Sequence, residues 1–540
     1  MTKAALITLG GVLAYVAFQW GGAVRTGRYE YLLVLGLLAM ILSLGRARDE
    51  WAPLPGGVVR WTLVLLPAYV LIQVVPLPVS LVRVLSPARA EGVAALDLIG
   101  AKVNLTSLSV SPAATFQSFL LVCGYLIIFL LVRELTWRLR VENAVIPSAA
   151  LGQSGARNLA VNAFPLLGGG GARGWWRRNQ IRGPTTPWPP PYQGGEPLAC
   201  GSTATCWLAI WPIVAIGALE AGLGLWQYFG GTGEQVQWGT YANHDHYAGF
   251  LEMALPFAVM YPVALLRRAR GHSLAPDTRH LEAALLRRAH SREHSLAPDT
   301  RHLEPALAAC GVWALAGLMF AGIVYSLSRM AFVATLFSLF VMGTLAFGSR
   351  QLRWVASSRK RQGGAVGLVA ALVLASFLFL PPDKLILRFA QIASVEKLIA
   401  EGRINLWAET IPLIRAYRFF GCGLGGYVTA FSKFKVSGVL LTDDFAHNDY
   451  LQLLAELGLV GFAIGATLAF SVVRKALRSA VGSRDPGERY FAVAGAGALA
   501  AILLHSLVAF NLYIPANAML LAWIAGMVAG NREQGIGSRE

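Results

Sequence analysis

Ala446-His447-Asn448-Asp449-Tyr450-Leu451-Gln452-Leu453-Leu454-Ala455-Glu456-Leu457-Gly458-Leu459-Val460-Gly461-Phe462 is the stretch that decides how this chain is read. A polar head, AHND, runs straight into apolar sequence that continues to about Val473. An apolar run of about 20 residues is long enough to cross a bilayer, so His447, Asn448 and Asp449 fall where a membrane helix begins, at the water interface. Asn or Asp at a helix start caps free backbone N–H groups, and this is the plain reading of Asn448 and Asp449. Capping does not account for His447 at the same mouth. Nor does it account for Glu456 deeper in the run, because a carboxylate at that depth belongs in a bundle interior or a wet cavity.

The composition points the same way. The chain has 540 residues, of which 55% are hydrophobic and 14% charged, and its mean hydropathy is +0.54. That balance excludes an ordinary soluble globule and indicates an all-α polytopic membrane protein. The net charge of +17 suggests nucleic acid only until its distribution is inspected: the basic residues cluster in short loops between apolar runs, as the positive-inside rule expects. The five cysteines have no paired metal spacing and mostly lie in or beside apolar runs, which argues against a disulfide framework.

Apolar runs fall near residues 4–21, 31–45, 58–75, 115–132, 205–228, 247–266, 305–326, 330–348, 364–380, 447–473, 490–512 and 514–530. They predict a single polytopic domain over 1–540 with about twelve spans. The first run lacks a clear small-residue cleavage site and is counted as a span rather than a signal peptide. Arg350 to Arg361, Arg474 to Arg484 and Arg267 to Arg270 crowd three loops on one side, which the rule makes cytoplasmic. The segments 76–114, 229–246 and 381–446 then face the opposite, periplasmic side.

Three connecting regions stand out. Residues 138–204, with Gly168 to Gly171 and Pro189-Pro190-Pro191, have no hydrophobic period and read as a disordered cytoplasmic insertion or a reading-frame artefact. Within 265–304, His272 to Glu282 recurs as His294 to Glu304. Two copies are too few for a repeat fold, so this reads as a tandem duplication in a cytoplasmic loop. The loop 381–446 carries Ile404, Trp407, Ile411 and Ile414 at helical spacing, an amphipathic helix that Pro412 should kink or interrupt. Arg403 opens that helix, where the macrodipole disfavours a cation unless an anion is held there. Gly421-Cys422-Gly423-Leu424-Gly425-Gly426 satisfies GxGxxG, but no βαβ unit surrounds it, so it reads as a tight turn. Glu220, Glu252, Arg329, Glu456 and His505 fall in the outer halves of their spans, and their shared depth predicts one polar cavity open to the periplasm.

At His447 to Phe462 the chain resembles the O-antigen ligase and polymerase superfamily of bacterial membrane glycosyltransferases. Gly239 to Phe250 (GTYANHDHYAGF), Ser326-Leu327-Ser328-Arg329 and Gly402 to Trp407 are similar to further motifs of that family, so the resemblance runs over about 205–473. It implies a GT-C-like helical fold with a large helical periplasmic loop, in the bacterial inner membrane. The implied reaction moves a glycan from a polyprenyl-diphosphate carrier to a lipid A-core, growing glycan or protein acceptor, with membrane lipids around it, no nucleic acid, no cofactor and no metal. Guanidinium forks suit a diphosphate leaving group, which makes Arg403 and Arg329 the catalytic candidates beside it. Histidine suits general-base work near neutral pH, which makes His447 the base. The resemblance carries over Asn243 and His246 as pocket residues, and Trp407, Asn448, Asp449 and Glu456 complete the binding set. A transporter or channel for a small solute is the alternative. It predicts inverted repeats or helices broken at the midplane, and neither is visible in the sequence.

Overall fold

The computed structural model describes residues 2–22, 30–44, 51–97, 100–161, 206–230, 238–274, 303–347, 403–437, 443–483 and 485–530. The apolar run at 364–380, most of the low-complexity stretch and most of both copies of the duplication lie outside these. Among the described residues the chain is helical almost throughout. In order the helices are α1 (Thr2–Phe18), α2 (Glu30–Leu44), α3 (Gly57–Ile72), α4 (Val79–Leu85), α5 (Pro87–Asp97) and α6 (Pro112–Val161). There follow α7 (Trp211–Gly230), α8 (His244–Leu274), α9 (Leu303–Tyr325), α10 (Arg329–Phe347), α11 (Arg403–Ala416) and α12 (Tyr427–Phe431), and then α13 (Asp449–Gly482), α14 (Pro486–His505) and α15 (Pro515–Ala529). The sole sheet among them is a two-residue antiparallel pair, Leu77–Pro78 with Leu105–Thr106.

Among the described residues seven helices are long and apolar enough to span a membrane, and α1, α2, α3 and α15 are shorter apolar helices. The chain is thus an all-α polytopic membrane protein. Large apolar side chains such as Leu33, Phe340 and Phe470 stand exposed on its flanks; in water they would be a liability, whereas in a bilayer they are ordinary lipid contacts. The centre is α14, which packs against α8, α10 and α13. Its Ala- and Gly-rich run from Ala492 to Ala501 lets neighbours approach closely, the usual way helices associate in lipid. A Cβ on Gly497 would lie 2.5 Å from Met342 Cγ.

At one end of the bundle, basic side chains close the C-termini of helices, where cations are favoured. The Arg489 guanidinium donates to the carbonyls of Ala480, Leu345 and Ala346. Lys475 donates to Ala529 O at 2.8 Å. Arg140 forms a two-pronged bond to Glu488 at 2.6 and 2.9 Å. The first residues of the low-complexity stretch 138–204 belong to α6, which runs on to Val161, with Arg138 and Arg140 buried in ion pairs.

A correction concerns α13, in which the sequence showed no break. Gly458 sits at φ 61°, ψ −173° inside it, nine residues or roughly 14 Å of helical rise from its start. Only glycine adopts this region readily. The break frees backbone groups that lipid cannot satisfy, and the turn 418–424 satisfies them. Cys422 N donates to Ala455 O (2.9 Å) and Gly423 N to Glu456 O (3.0 Å), while Leu459 N and Val460 N donate back to the carbonyls of Arg418 and Phe419 (2.8 and 3.2 Å). From α3, Tyr69 Oη donates to Leu457 O (2.6 Å) and Phe420 O (2.9 Å), and Gln73 Nε2 to Phe420 O (2.7 Å) and Glu456 O (3.0 Å). The glycine-rich motif is thus a turn, as expected, and its function is to fill the break.

α11 forms the helix that the spacing predicted. Its buried face is Leu406, Thr410 and Leu413, whereas Ile404 and Ile411 are each 41% exposed. The stripe facing the protein takes a threonine, whose hydroxyl bonds Leu406 O and Tyr427 Oη. The helix runs through Pro412 without interruption.

Candidate functional site

The site forms where helix ends from distant parts of the chain meet: the starts of α8, α10, α11 and α13, and the end of α14. What joins them is the connection 506–513 between α14 and α15, a segment that no motif had marked. Asp449, fully buried, accepts from Ser506 Oγ at 2.7 Å and from Leu512 N at 3.3 Å, while its own N–H points at Ser506 O and Ala509 O. Arg403 donates to Val508 O at 3.2 Å. His246 Nδ1 lies 3.1 Å from Asn511 Oδ1. Phe510 stacks on Phe445 (centroids 4.1 Å apart, planes at 7°) and meets the rings of His246 and His447 edge-on at 4.3 and 4.8 Å.

His447 is half-buried at the centre of this arrangement. Its backbone has φ 49°, a left-handed conformation uncommon for a side-chain-bearing residue. Its neighbours hold it there. Ala446 is clamped by Trp407 Nε1 to its carbonyl (3.0 Å) and by its own N–H to Gln452 Oε1 (2.9 Å). On the other side Asn448 caps α13, accepting from Tyr450 N (3.0 Å) and Leu451 N (3.1 Å). Burial depresses the imidazole pKa, the Arg403 guanidinium pushes it the same way, and Asp245 and Asp443 oppose. A lowered pKa keeps the ring neutral, and able to accept a proton, to a pH below its ordinary value of about 6.5. If His447 is the base, the acid limb of a pH–rate profile should therefore lie below about 6.5. An acid limb at clearly higher pH would count against that role.

Asp245 is the residue that sequence reasoning passed over. It lies inside GTYANHDHYAGF but was overlooked between His244 and His246. Its carboxylate accepts from Ser328 Oγ at 2.5 Å and lies 3.7 Å from Arg403 Nη2, with His244 Nδ1 3.4 Å away. Asp245 therefore ties α8 to the start of α10 and orients the arginine. Ser328, which also caps α10 at Ala331 N, follows Leu327 at φ 58°, a tight reversal that puts Arg329 at the first position of the helix. Phe510, Phe445 and Asn511 were missed as well. They carry no motif, and only proximity marks them.

The remaining expected residues have structural duties. Asn243 caps α8 by accepting from Asp245 N at 2.7 Å. His246 is buried behind Phe510 rather than open to solvent. Glu456 accepts from Tyr513 Oη (2.8 Å) and Tyr427 N (3.1 Å) and so pins two loops to α13. Several of the intramembrane ionisable groups find partners of their own. Glu252 pairs with His505 (3.0 Å), and Glu220 accepts from Thr240 N and Oγ1 at 2.9 and 2.6 Å. Glu220, Glu252 and His505 are thus each paired within the bundle, as a buried charge left without a partner is costly. Among the described residues no group of three or more His, Cys, Asp or Glu is placed to hold a metal ion.

Residues 314–466 match a family model described as O-antigen ligase. The match covers SLSR, α11 and the HNDY head, and it supports the O-antigen ligase superfamily, membrane enzymes whose general activity is glycan transfer in a ligase- or polymerase-like role. No curated protein matches the chain.

Proposed function

With residues 314–466 matching the O-antigen ligase family, we propose that this protein transfers a glycan from a polyprenyl-diphosphate carrier to an acceptor hydroxyl at the periplasmic face of the bacterial inner membrane. The acceptor is a lipid A-core, a growing glycan or a protein. The observation that carries the reading is the meeting of His447, Arg403 and Asp245, from three separate segments, around one connection at the ends of membrane helices.

The chemistry assigns a role to each. The acceptor oxygen attacks the anomeric carbon, the bond from that carbon to the diphosphate oxygen breaks, and the acceptor's proton passes to the His447 imidazole. The leaving diphosphate gains negative charge, which Arg403 stabilises together with Arg329 through planar, two-pronged hydrogen bonding. Asp245 holds Arg403 in place and Trp407 holds the backbone beside His447. Asn448, Asp449, Asn243, His246 and Glu456 act by fixing the helix ends and the 506–513 connection.

The broken α13 favours a second reading, a transporter, since transporters bind solutes at unwound helices. Here, however, the carbonyls of Ala455, Glu456 and Leu457 already accept from Cys422 N, Gly423 N with Gln73, and Tyr69. A substrate or ion would have to displace protein partners from all three. The break is filled by the protein itself, which supports the enzyme.

The test is transfer by the purified protein from polyprenyl-diphosphate glycan, comparing Arg403→Lys with wild type. An ammonium cannot reproduce a planar fork, so transfer should fall by at least about tenfold with donor binding also weakened. Full transfer by Arg403→Lys would remove the fork from the mechanism. Absence of transfer by the wild type, together with solute flux, would favour the transporter.

A further inference from the structure

Beyond the reacting groups, a glycan must be held outside the membrane, and a line of aromatic rings leads from the periphery to the site. Tyr228 and Phe229 end α7, Tyr325 ends α9, and Trp238 precedes α8. Phe229 is 68% exposed, and its ring lies 5.0 Å from that of Tyr325. Tyr325 is 4.9 Å from Tyr228, Tyr228 is 6.2 Å from Trp238, and Trp238 is 6.0 Å from His244. His244 in turn stands beside Asp245. The rings thus run from an exposed rim to within one residue of the Arg403 partner.

Aromatic residues at a membrane interface usually form a headgroup belt, and Trp226, 72% exposed and in no ring pair among the described residues, fits that description. The five-ring line differs in two respects. Its members pack on one another and step inward. Trp238 is also fixed by reciprocal backbone bonds with Tyr241, 2.9 Å in both directions, and the neighbouring Gly239 carbonyl accepts from Gln227 Nε2 at 2.8 Å. Rigid rings with polar tips give large contact area at small entropic cost. The C–H faces of pyranose rings stack on such surfaces, and each ring-to-ring step is about one sugar residue long.

We propose that Phe229, Tyr325, Tyr228, Trp238 and His244 form an extended saccharide-binding track that delivers a glycan to the site. The inference rests on the glycan-transfer reading and names where that substrate lies. In the reaction the rings bind sugar residues one or more units removed from the bond that forms, so they govern affinity and length preference rather than the chemical step.

The test uses the purified full chain and, as probe, oligosaccharides released by mild acid from the polyprenyl-linked pool of the cell that makes the protein, sorted by length. Binding is read from tryptophan fluorescence or by calorimetry. The wild type should bind longer fragments more tightly, and Trp238→Ala should weaken the longest by about tenfold, with Tyr228→Ala weakening it as well. Trp238→Phe, which keeps a ring, should retain most of the affinity and guards against misfolding as the cause. Equal affinity in Trp238→Ala and wild type would overturn the track, as would absence of binding by the wild type. Lower stability in lipid with unchanged glycan affinity would make the rings a headgroup belt and overturn it too. A wild type that binds the fragments yet transfers nothing would leave the track standing and remove the transferase reading.

Discussion

His447→Ala is expected to slow glycan transfer by about 10²–10⁴-fold, the usual contribution of a general acid–base group, while leaving donor binding close to wild type. The separation follows from the geometry. The imidazole edge rests on Phe510, and among the described residues it makes no hydrogen bond to the 506–513 connection, which Asp449 and Arg403 hold from either side. Removing the ring should therefore delete a proton acceptor without collapsing its surroundings. Single-turnover transfer measured alongside donor binding checks this. Full transfer by the variant would exclude His447 as the base, whereas equal loss of binding and turnover would make it a diphosphate ligand.

The second large effect is expected at Gly458, where alanine should cost the protein about 3 kcal/mol or more. Strain alone at such a φ and ψ is worth about 1–3 kcal/mol in a residue with a side chain. Here a Cβ would also lie 2.5 Å from Gly421 N, Phe419 C and Phe419 O. These are backbone atoms of the turn that fills the helix break, so they cannot swing aside. Gly465→Ala is the control: it lies in the same helix, and a Cβ there has nothing within 4 Å, so it should be neutral or slightly stabilising. Thermal melting of both variants in one detergent makes the comparison. Matching midpoints would show that the break is plastic.

The class of fold was legible because it depends on local properties: apolar runs of spanning length and basic loops between them can be counted along the chain. Candidate site residues stood out where the chemistry was unusual for its position, as with His447 at a membrane mouth and Arg403 at a helix start, and both adjoin the 506–513 connection. What was illegible depends on partners far apart in sequence. Asn448 and Asp449 look alike as helix-start residues, yet Asn448 caps its own helix while Asp449 reaches 57 residues on to Ser506. Glu456 and Glu252 look alike as intramembrane acids, yet one holds Tyr513 and the other His505. Gly458 sits in a run, Leu457 to Phe462, with nothing polar to betray a break. The break exists because Gly421 to Gly426 is available to fill it. Asp245 stood in plain view among histidines, and only its contact with Ser328 and Arg403 shows its place.

The dependence on the 506–513 connection sets an order of events in the life of the chain. Asp449, Arg403, His246 and Phe445 all leave the ribosome before the segment that gathers them, and the chain must travel about a hundred residues beyond Arg403 before Val508 exists. Domains of a nascent chain settle in the order of synthesis, and contacts between remote segments form late. Until α14 and α15 have inserted, those side chains have no common anchor. The protein can therefore become competent only when its synthesis is nearly complete, and a chain arrested before α14 would carry every recognisable motif and no assembled site.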